Sequence, residues 1–189
     1  MTNRVNPWEH PDLKDIWKSK SSFMSYIRSC LRKAWNRHPA KLVAIRRDRK
    51  RIPNPNPKGK VKEVWGFECP ICGGTFVQKD GQVDHINPAG SLKDREDIQS
   101  FTERLVWITP DDLRTICKTC NGTFSLAERQ GISFEEARAT KKAIQIEKEK
   151  RVNETLEELG ITPASNSKLR RKQLVGAFMK QQEEIKNVQ

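Results

Sequence analysis

The chain has 189 residues, enough for one core of ordinary size or a smaller core with helical extensions. Hydrophobic residues make up 35% and charged residues 32%, so apolar material is scarce for a single packed globule, and exposed helices around a compact centre are expected. The net charge of +12 suits a polyanionic partner, while no apolar run reaches the ~18 residues that would suggest a membrane span.

The charge is uneven. Residues 1–63 hold 17 Lys or Arg against 5 Asp or Glu, and residues 64–189 hold 19 of each. A concentrated basic third is the footprint of a nucleic-acid binder; the bland alternative is a solubilising tail. The first 20 residues contain Glu9, Asp12 and Asp15 and no apolar run, so no secretory signal is expected.

Residues 1–20 read as a loose polar arm, with a turn of helix around Leu13 to Trp17. From Ser21 or Ser22 a helix is expected, because Phe23, Tyr26, Ile27, Leu31, Ala34 and Trp35 recur at steps of three and four. It should end near Arg37, before Pro39. A second helix is predicted over Ala40–Arg51, carrying Arg46, Arg47, Arg49, Lys50 and Arg51 as candidate phosphate-contacting cations. Ile52–Lys60 reads as a Pro-rich linker.

The centre follows. Val64–Glu68 and Thr75–Val77 are predicted strands, Asp80-Gly81 a hairpin turn, and Gln82–Ile86 a further strand. Asn87–Gln99 reads as a polar loop, and Thr102–Ile108 fits helix or strand. Asp111–Thr115 leads to the second cysteine pair, and Asn121–Arg129 reads as a helix. Ser133 and Glu136 form a capping-box pattern before one long helix to Leu159, closed by Gly160 and Pro163. A last helix should cover Ser167–Lys186. Thin apolar stripes run along both (Ala137, Ile144 and Ile146; Leu174, Val175, Phe178 and Met179).

Four of the five cysteines form two C-x-x-C pairs, Cys69/Cys72 and Cys117/Cys120. Two such pairs supply the four thiolates of a structural Zn²⁺ site; a redox pair is the alternative. Cys30 lies among Tyr26, Ile27 and Leu31 and reads as a buried small hydrophobe. An odd cysteine count with no signal segment points to a reducing, cytoplasmic compartment. The pairs are separated by 44 residues, where simple ribbons have about 15–20, so something further is built between them. That insert holds Val83-Asp84-His85-Ile86, and Asn121 directly follows Cys120. His10 and His38, the other two histidines, each lie close to a proline and have no partner motif.

The order Cys69/Cys72, Asp84-His85, Cys117/Cys120-Asn121 resembles the HNH, or ββα-metal, nucleases. It is most similar to the branch of phage recombination endonuclease VII and to small HNH proteins of tailed phages. The likeness covers Trp65 to Arg129, about a third of the chain. It implies an α+β fold: a small zinc-stapled ββα-metal core at 61–130, a basic helical DNA-binding arm with its linker at 1–60, and a helical C-terminal extension at 131–189. It further implies His85 as general base, and Asp84 and Asn121 as oxygen ligands of one catalytic Mg²⁺ or Mn²⁺. Where many members carry an orienting Asn, this chain has Asp112, which can pin the loop or add metal affinity. The implied activity is DNA hydrolysis, in the host cytoplasm for a phage protein. A non-catalytic zinc-ribbon DNA-binding or assembly module and a branched-DNA resolvase are the competing readings. The resolvase needs a homodimer, for which the C-terminal helices are the available surface.

Overall fold

The computed structural model describes residues 4–56 and 60–187. Among them are seven α-helices and two small antiparallel sheets. The chain divides into two compact units, Met1–Cys117 and Lys118–Gln189. This division differs from the boundaries at 60/61 and 130/131 read from the sequence.

In the first unit, helix α1 spans Lys20–Asn36, one residue off the expected bounds. Ser19 caps it, its side chain accepting from the Ser22 N–H at 3.2 Å. The buried stripe is the expected one. Met24 packs with Leu92, Phe101 and Leu105, and Phe23, Ile27, Leu31 and Trp35 lean on this cluster. Cys30 is exposed, against expectation, because it lies on the flank of α1 with the half-exposed Tyr26, beside the stripe. The preceding residues are not a loose arm. They form successive turns, and Trp8 and Trp17 pack on the Phe23 ring at centroid distances of 5.8 and 5.3 Å.

Helix α2 covers Pro39–Asp48 with proline in its first turn. It stops three residues short of the prediction, because Arg49–Pro53 is strand β1. The sequence Arg-Lys-Arg-Ile-Pro carries no strong helical period, and Ile52 buries itself against the next strand, so sheet pairing decides its conformation. The linker expected at 52–60 therefore begins inside a sheet, and its residues 57–59 lie outside the described residues.

Strand β2 (Glu63–Glu68) pairs with β1 and with β3 (Thr75–Val77), in the order β1-β2-β3. Arg51 faces Trp65 and Phe67 faces Phe76. Strand β4 (Gly81–His85) pairs with β5 (Leu113–Cys117), from Gly81 opposite Cys117 to His85 opposite Leu113. The Asp80-Gly81 hairpin is thus corrected. A 3₁₀ turn at Gln78–Asp80 passes the chain from one sheet to the other, and Gly81 is extended (φ −88°, ψ 153°). Its glycine serves space instead of φ: a Cβ there would lie 2.7 Å from the Phe67 ring. Between β4 and β5 the chain makes helix α3, Asp97–Val106, which makes residues 102–106 of the ambiguous segment helical and shortens the loop expected at 87–99, since its last three residues join the helix.

The second unit is helical. Helix α4 (Lys118–Gln130) begins directly after β5, and Asn121 falls in its first turn. Helix α5 (Phe134–Lys148) is capped by Ser133, whose side chain accepts from the Glu136 N–H at 3.0 Å. The single long helix expected to Leu159 is broken. Lys150 adopts φ 60°, and α6 (Val152–Glu158) starts afresh. The break lets Leu156 join Ala139, Ala143, Leu174 and Phe178 in one core with α7 (Ser167–Asn187). Propensity alone did not reveal this stop.

Candidate metal centre and histidine cleft

Cys69 leaves β2 in a tight knuckle. Its N–H donates to the Gly74 carbonyl at 2.9 Å, and the Gly73 N–H returns to the Cys69 carbonyl at 2.8 Å. Gly73 has φ 68°, a value that favours glycine. Cys117, at the end of β5, donates its N–H to the Cys69 sulfur at 3.4 Å. The Sγ atoms of Cys69, Cys72, Cys117 and Cys120 all lie within 4.8 Å of one another. Cys72 and Cys117 are 4.0 Å apart, close to the ~3.8 Å edge of a tetrahedron with zinc–sulfur bonds of about 2.3 Å. Burial pushes the Cys69 thiol up, but backbone N–H groups of Cys117, Ile71 and Cys72 outweigh it and bring the value to about 7. The group is suited to a thiophilic tetrahedral ion such as zinc. It is the cluster of three or more His, Cys, Asp or Glu residues, among the described residues, that can hold a metal.

His85 ends β4 and is 9% exposed. Its ring lies 4.1 Å from the Trp35 ring, centroid to centroid. Its Nε2 lies 3.1 Å from the Leu105 carbonyl at the C-terminal end of α3. A carbonyl only accepts, so Nε2 carries the hydrogen, and in the neutral ring the free lone pair is on Nδ1. Burial pushes its pKa below the ordinary histidine value; the bond to Leu105 and the nearby Asp84 partly oppose this. His38 repeats the pattern one residue on. Its Nε2 is 3.1 Å from the Val106 carbonyl, and its Nδ1 accepts from the Ala40 N–H at 3.3 Å, capping α2. His38, set aside in the sequence, is thus a structural brace between α2 and α3.

A cleft of about 250 Å³ opens at His85, lined also by Asn87, Glu103, Arg104, Trp107 and Asp112. Asp112 Oδ2 accepts from the Thr109 N–H at 2.7 Å and its hydroxyl at 2.9 Å. The Asp112 carbonyl accepts from the Ile86 N–H at 2.9 Å, extending the hairpin ladder past His85. Of the two roles open to Asp112, pinning the loop is the one these bonds perform. The Thr109 donors hold its carboxyl below the usual carboxylate range.

Asp84 alternates with His85 along β4 and so projects from the other face. Its carboxylate pairs with Arg114, directly across the hairpin, at 3.2 Å.

The five predicted DNA-contacting cations divide between two elements. Arg46 and Arg47 end α2, and Arg49, Lys50 and Arg51 lie on β1. Arg47 is committed to the fold, donating to the Pro110 carbonyl at 2.8 Å, the Leu113 carbonyl at 2.7 Å and Asp48 at 2.7 Å. Lys50 pairs with Glu68 at 2.5 Å. Arg49 and Arg51 stack their guanidinium groups over the Trp65 ring, 4.3 and 5.0 Å from its centroid.

Comparison of the chain with protein-family models, with curated proteins and with solved structures finds no match to any of them. The functional reading therefore rests on the residues, their geometry and the motif resemblance. Sequence reading missed Trp35 as the wall of the histidine and the Leu105 carbonyl as its partner. Trp35 was visible only as part of a helical stripe, and a backbone carbonyl has no sequence signature.

Proposed function

We propose that this chain is a zinc-stapled, metal-dependent DNA endonuclease of the HNH type. The observation that carries the reading is His85, held with Nε2 on the Leu105 carbonyl and Nδ1 as its free basic atom, at a cleft inside the insert between the two cysteine pairs. An imidazole fixed in one tautomer and kept neutral near pH 7 is the form a general base needs. In this reading Nδ1 takes a proton from the water that attacks the scissile phosphorus. The Leu105 carbonyl then stabilises the imidazolium by accepting from Nε2.

Further support comes from the local chain order. The β4–β5 hairpin carries Asp84 and His85 on one strand and runs directly into α4, whose first turn holds Asn121. Asp84 and Asn121 are assigned as ligands of a hard divalent ion on the HNH resemblance. Their oxygen donors fit such an ion, and Asp84 would exchange Arg114 for it. When bound, that ion supplies Lewis-acid stabilisation of charge on the phosphoryl group. The four thiolates hold zinc as a structural clasp and take no part in the chemistry. The basic first third supplies non-specific affinity for the phosphate backbone.

One observation favours a second reading. The Asp84–Arg114 pair already satisfies the carboxylate, which suits a non-catalytic zinc module that binds DNA without cutting it. Incubation of the full chain with supercoiled plasmid in Mg²⁺, Mn²⁺ or EDTA separates the two. Divalent-dependent nicking or linearisation supports the endonuclease. Binding without any cutting in either metal supports the module.

A further inference from the structure

Trp107 is the most exposed large apolar side chain among the described residues, at 86%; the next, Val5, is at 63%. The other four tryptophans are engaged. Trp8 and Trp17 pack on Phe23, Trp35 on His85, and Trp65 lies under two arginines. Leaving an indole in water forgoes the largest apolar burial a side chain offers, so its position calls for a partner.

Its place is specific. Trp107 caps the C-terminus of α3, its N–H donating to the Glu103 carbonyl at 3.1 Å. The same helix end supplies the Leu105 and Val106 carbonyls that hold His85 and His38. The indole therefore stands on the backbone that orients the histidine, and it lines the same cleft. Arg104 also faces that cleft, anchored through its Nε to the Ala89 carbonyl at 3.0 Å. An aromatic plane and a guanidinium suit a base and its phosphate. Glu103 also lines the cleft and disfavours a bare anion, so the aromatic contact carries the discrimination.

We propose that Trp107 is a substrate-binding residue that stacks on an unpaired nucleobase of the strand lying in the His85 cleft. This rests on the nuclease reading and adds a strand preference to it. A base inside a duplex has both faces covered by its neighbours, so an indole reaches a free face only where a nucleotide is unpaired. Trp107 therefore contributes to single strands and to unpaired sites, and little to intact duplex.

The test uses the full, zinc-loaded chain in EDTA-free buffer without Mg²⁺ or Mn²⁺. Affinity is measured by fluorescence anisotropy for a short single strand and for the same sequence as duplex, with Trp107→Ala, Trp107→Phe and wild type. Trp107→Ala is expected to weaken single-strand binding by about tenfold or more, with duplex affinity changed by less than about twofold and melting temperature unchanged. Trp107→Phe should keep most of the single-strand affinity, since it restores an aromatic face. With Mg²⁺ added, the loss should fall on KM for single strands more than on kcat. Equal single-strand affinity of wild type and Trp107→Ala overturns the stacking role, and so does an equal loss on both substrates. If wild type cuts plasmid while either of those results holds, only the stacking role falls. If wild type neither binds nor cuts DNA, the nuclease reading falls with it.

Discussion

Asp48 Oδ2 accepts the backbone N–H of Thr115 at 2.8 Å, so the end of α2 does for β5 what a neighbouring strand would do. Arg47 completes the edge by donating to the Leu113 carbonyl two residues earlier. Strand β5 is thus bonded by β4 on one side and by two side chains on the other. Asp48→Ala leaves a buried N–H without a partner and is expected to cost about 1–3 kcal/mol. Chemical denaturation of the variant measures it, and an unchanged midpoint would show that the edge is held by other means. Burial pushes the Asp48 carboxyl up, but its Arg47 and Thr115 donors outweigh this and hold it below 3.8. Its share of stability is therefore present above about pH 3.8 and is lost as pH falls through the lower folded value.

His85→Gln should abolish cutting, by about 10²–10⁴-fold for a general base, while Gln can still donate a side-chain N–H towards the Leu105 carbonyl. His85→Ala is a poorer probe, because it also removes the Trp35 contact and leaves that carbonyl bare. It should lower the melting temperature as well as the rate. Wild-type cutting by His85→Gln would remove His85 from the chemistry.

The same residue sets a pH dependence. Burial lowers the folded pKa of His85 below 6.5, so the unfolded chain takes up the proton first. Stability from this group is complete above about 6.5 and falls as pH drops towards the folded value. If His85 is the general base proposed above, cutting needs the neutral ring, and its acid limb should have a midpoint below 6.5. Rate profiles and melting curves of wild type and His85→Gln check both. A wild-type limb centred above 6.5 would contradict the burial argument.

Elemental analysis of freshly purified protein is expected to give one zinc per chain. Cys69→Ser should lose it and unfold the β2–β3 knuckle, because structural zinc supplies folding energy directly. Cys30→Ser should keep the metal, since Cys30 stands apart from the four-thiol cluster. A Cys69→Ser protein with full zinc content would place the metal elsewhere.

Charge removal on β1 tests the anchoring role of the basic third. Arg49→Gln with Arg51→Gln should lower the salt slope of duplex affinity by roughly 1.8, at about 0.9 for each phosphate no longer neutralised. Binding titrations at several salt concentrations measure it, and an unchanged slope would assign the charge excess to another purpose. Deleting residues 1–60 is not an equivalent test. It removes β1 from its sheet and the α1 stripe from the Leu92, Phe101 and Leu105 cluster.

Helix α1 was legible from its apolar period and the start of α5 from its cap at Ser133, whereas α3 was not, although Ile98, Phe101 and Leu105 recur at helical steps. The cysteine spacing also announced the four-thiol group on its own. What stayed hidden was decided at long range. Strand β1 forms because β2 is there to pair with it, and its run of cations gives no strand signal of its own. The break at Lys150 follows from the core that Leu156 reaches. Of the candidate site the sequence offers residue types, Asp84-His85 and Asp112, but not their geometry. That Asp112 pins Thr109, that Asp84 meets Arg114 and that His85 leans on Trp35 all depend on register and packing.

Strand β1 is also an outer strand of its sheet, with one row of backbone groups unpaired by any other strand among the described residues. Such an edge can recruit the edge of another copy, and lysines, arginines and prolines are what usually keep it from doing so. Arg49, Lys50, Arg51 and Pro53 stand on that strand. The cations proposed to meet phosphate would therefore also guard the free chain against strand-to-strand self-association, and DNA covering them would relieve the need for that guard. Neutralised variants should be more prone to aggregate when free than when bound, which makes particle size in the absence of DNA as telling as affinity in its presence.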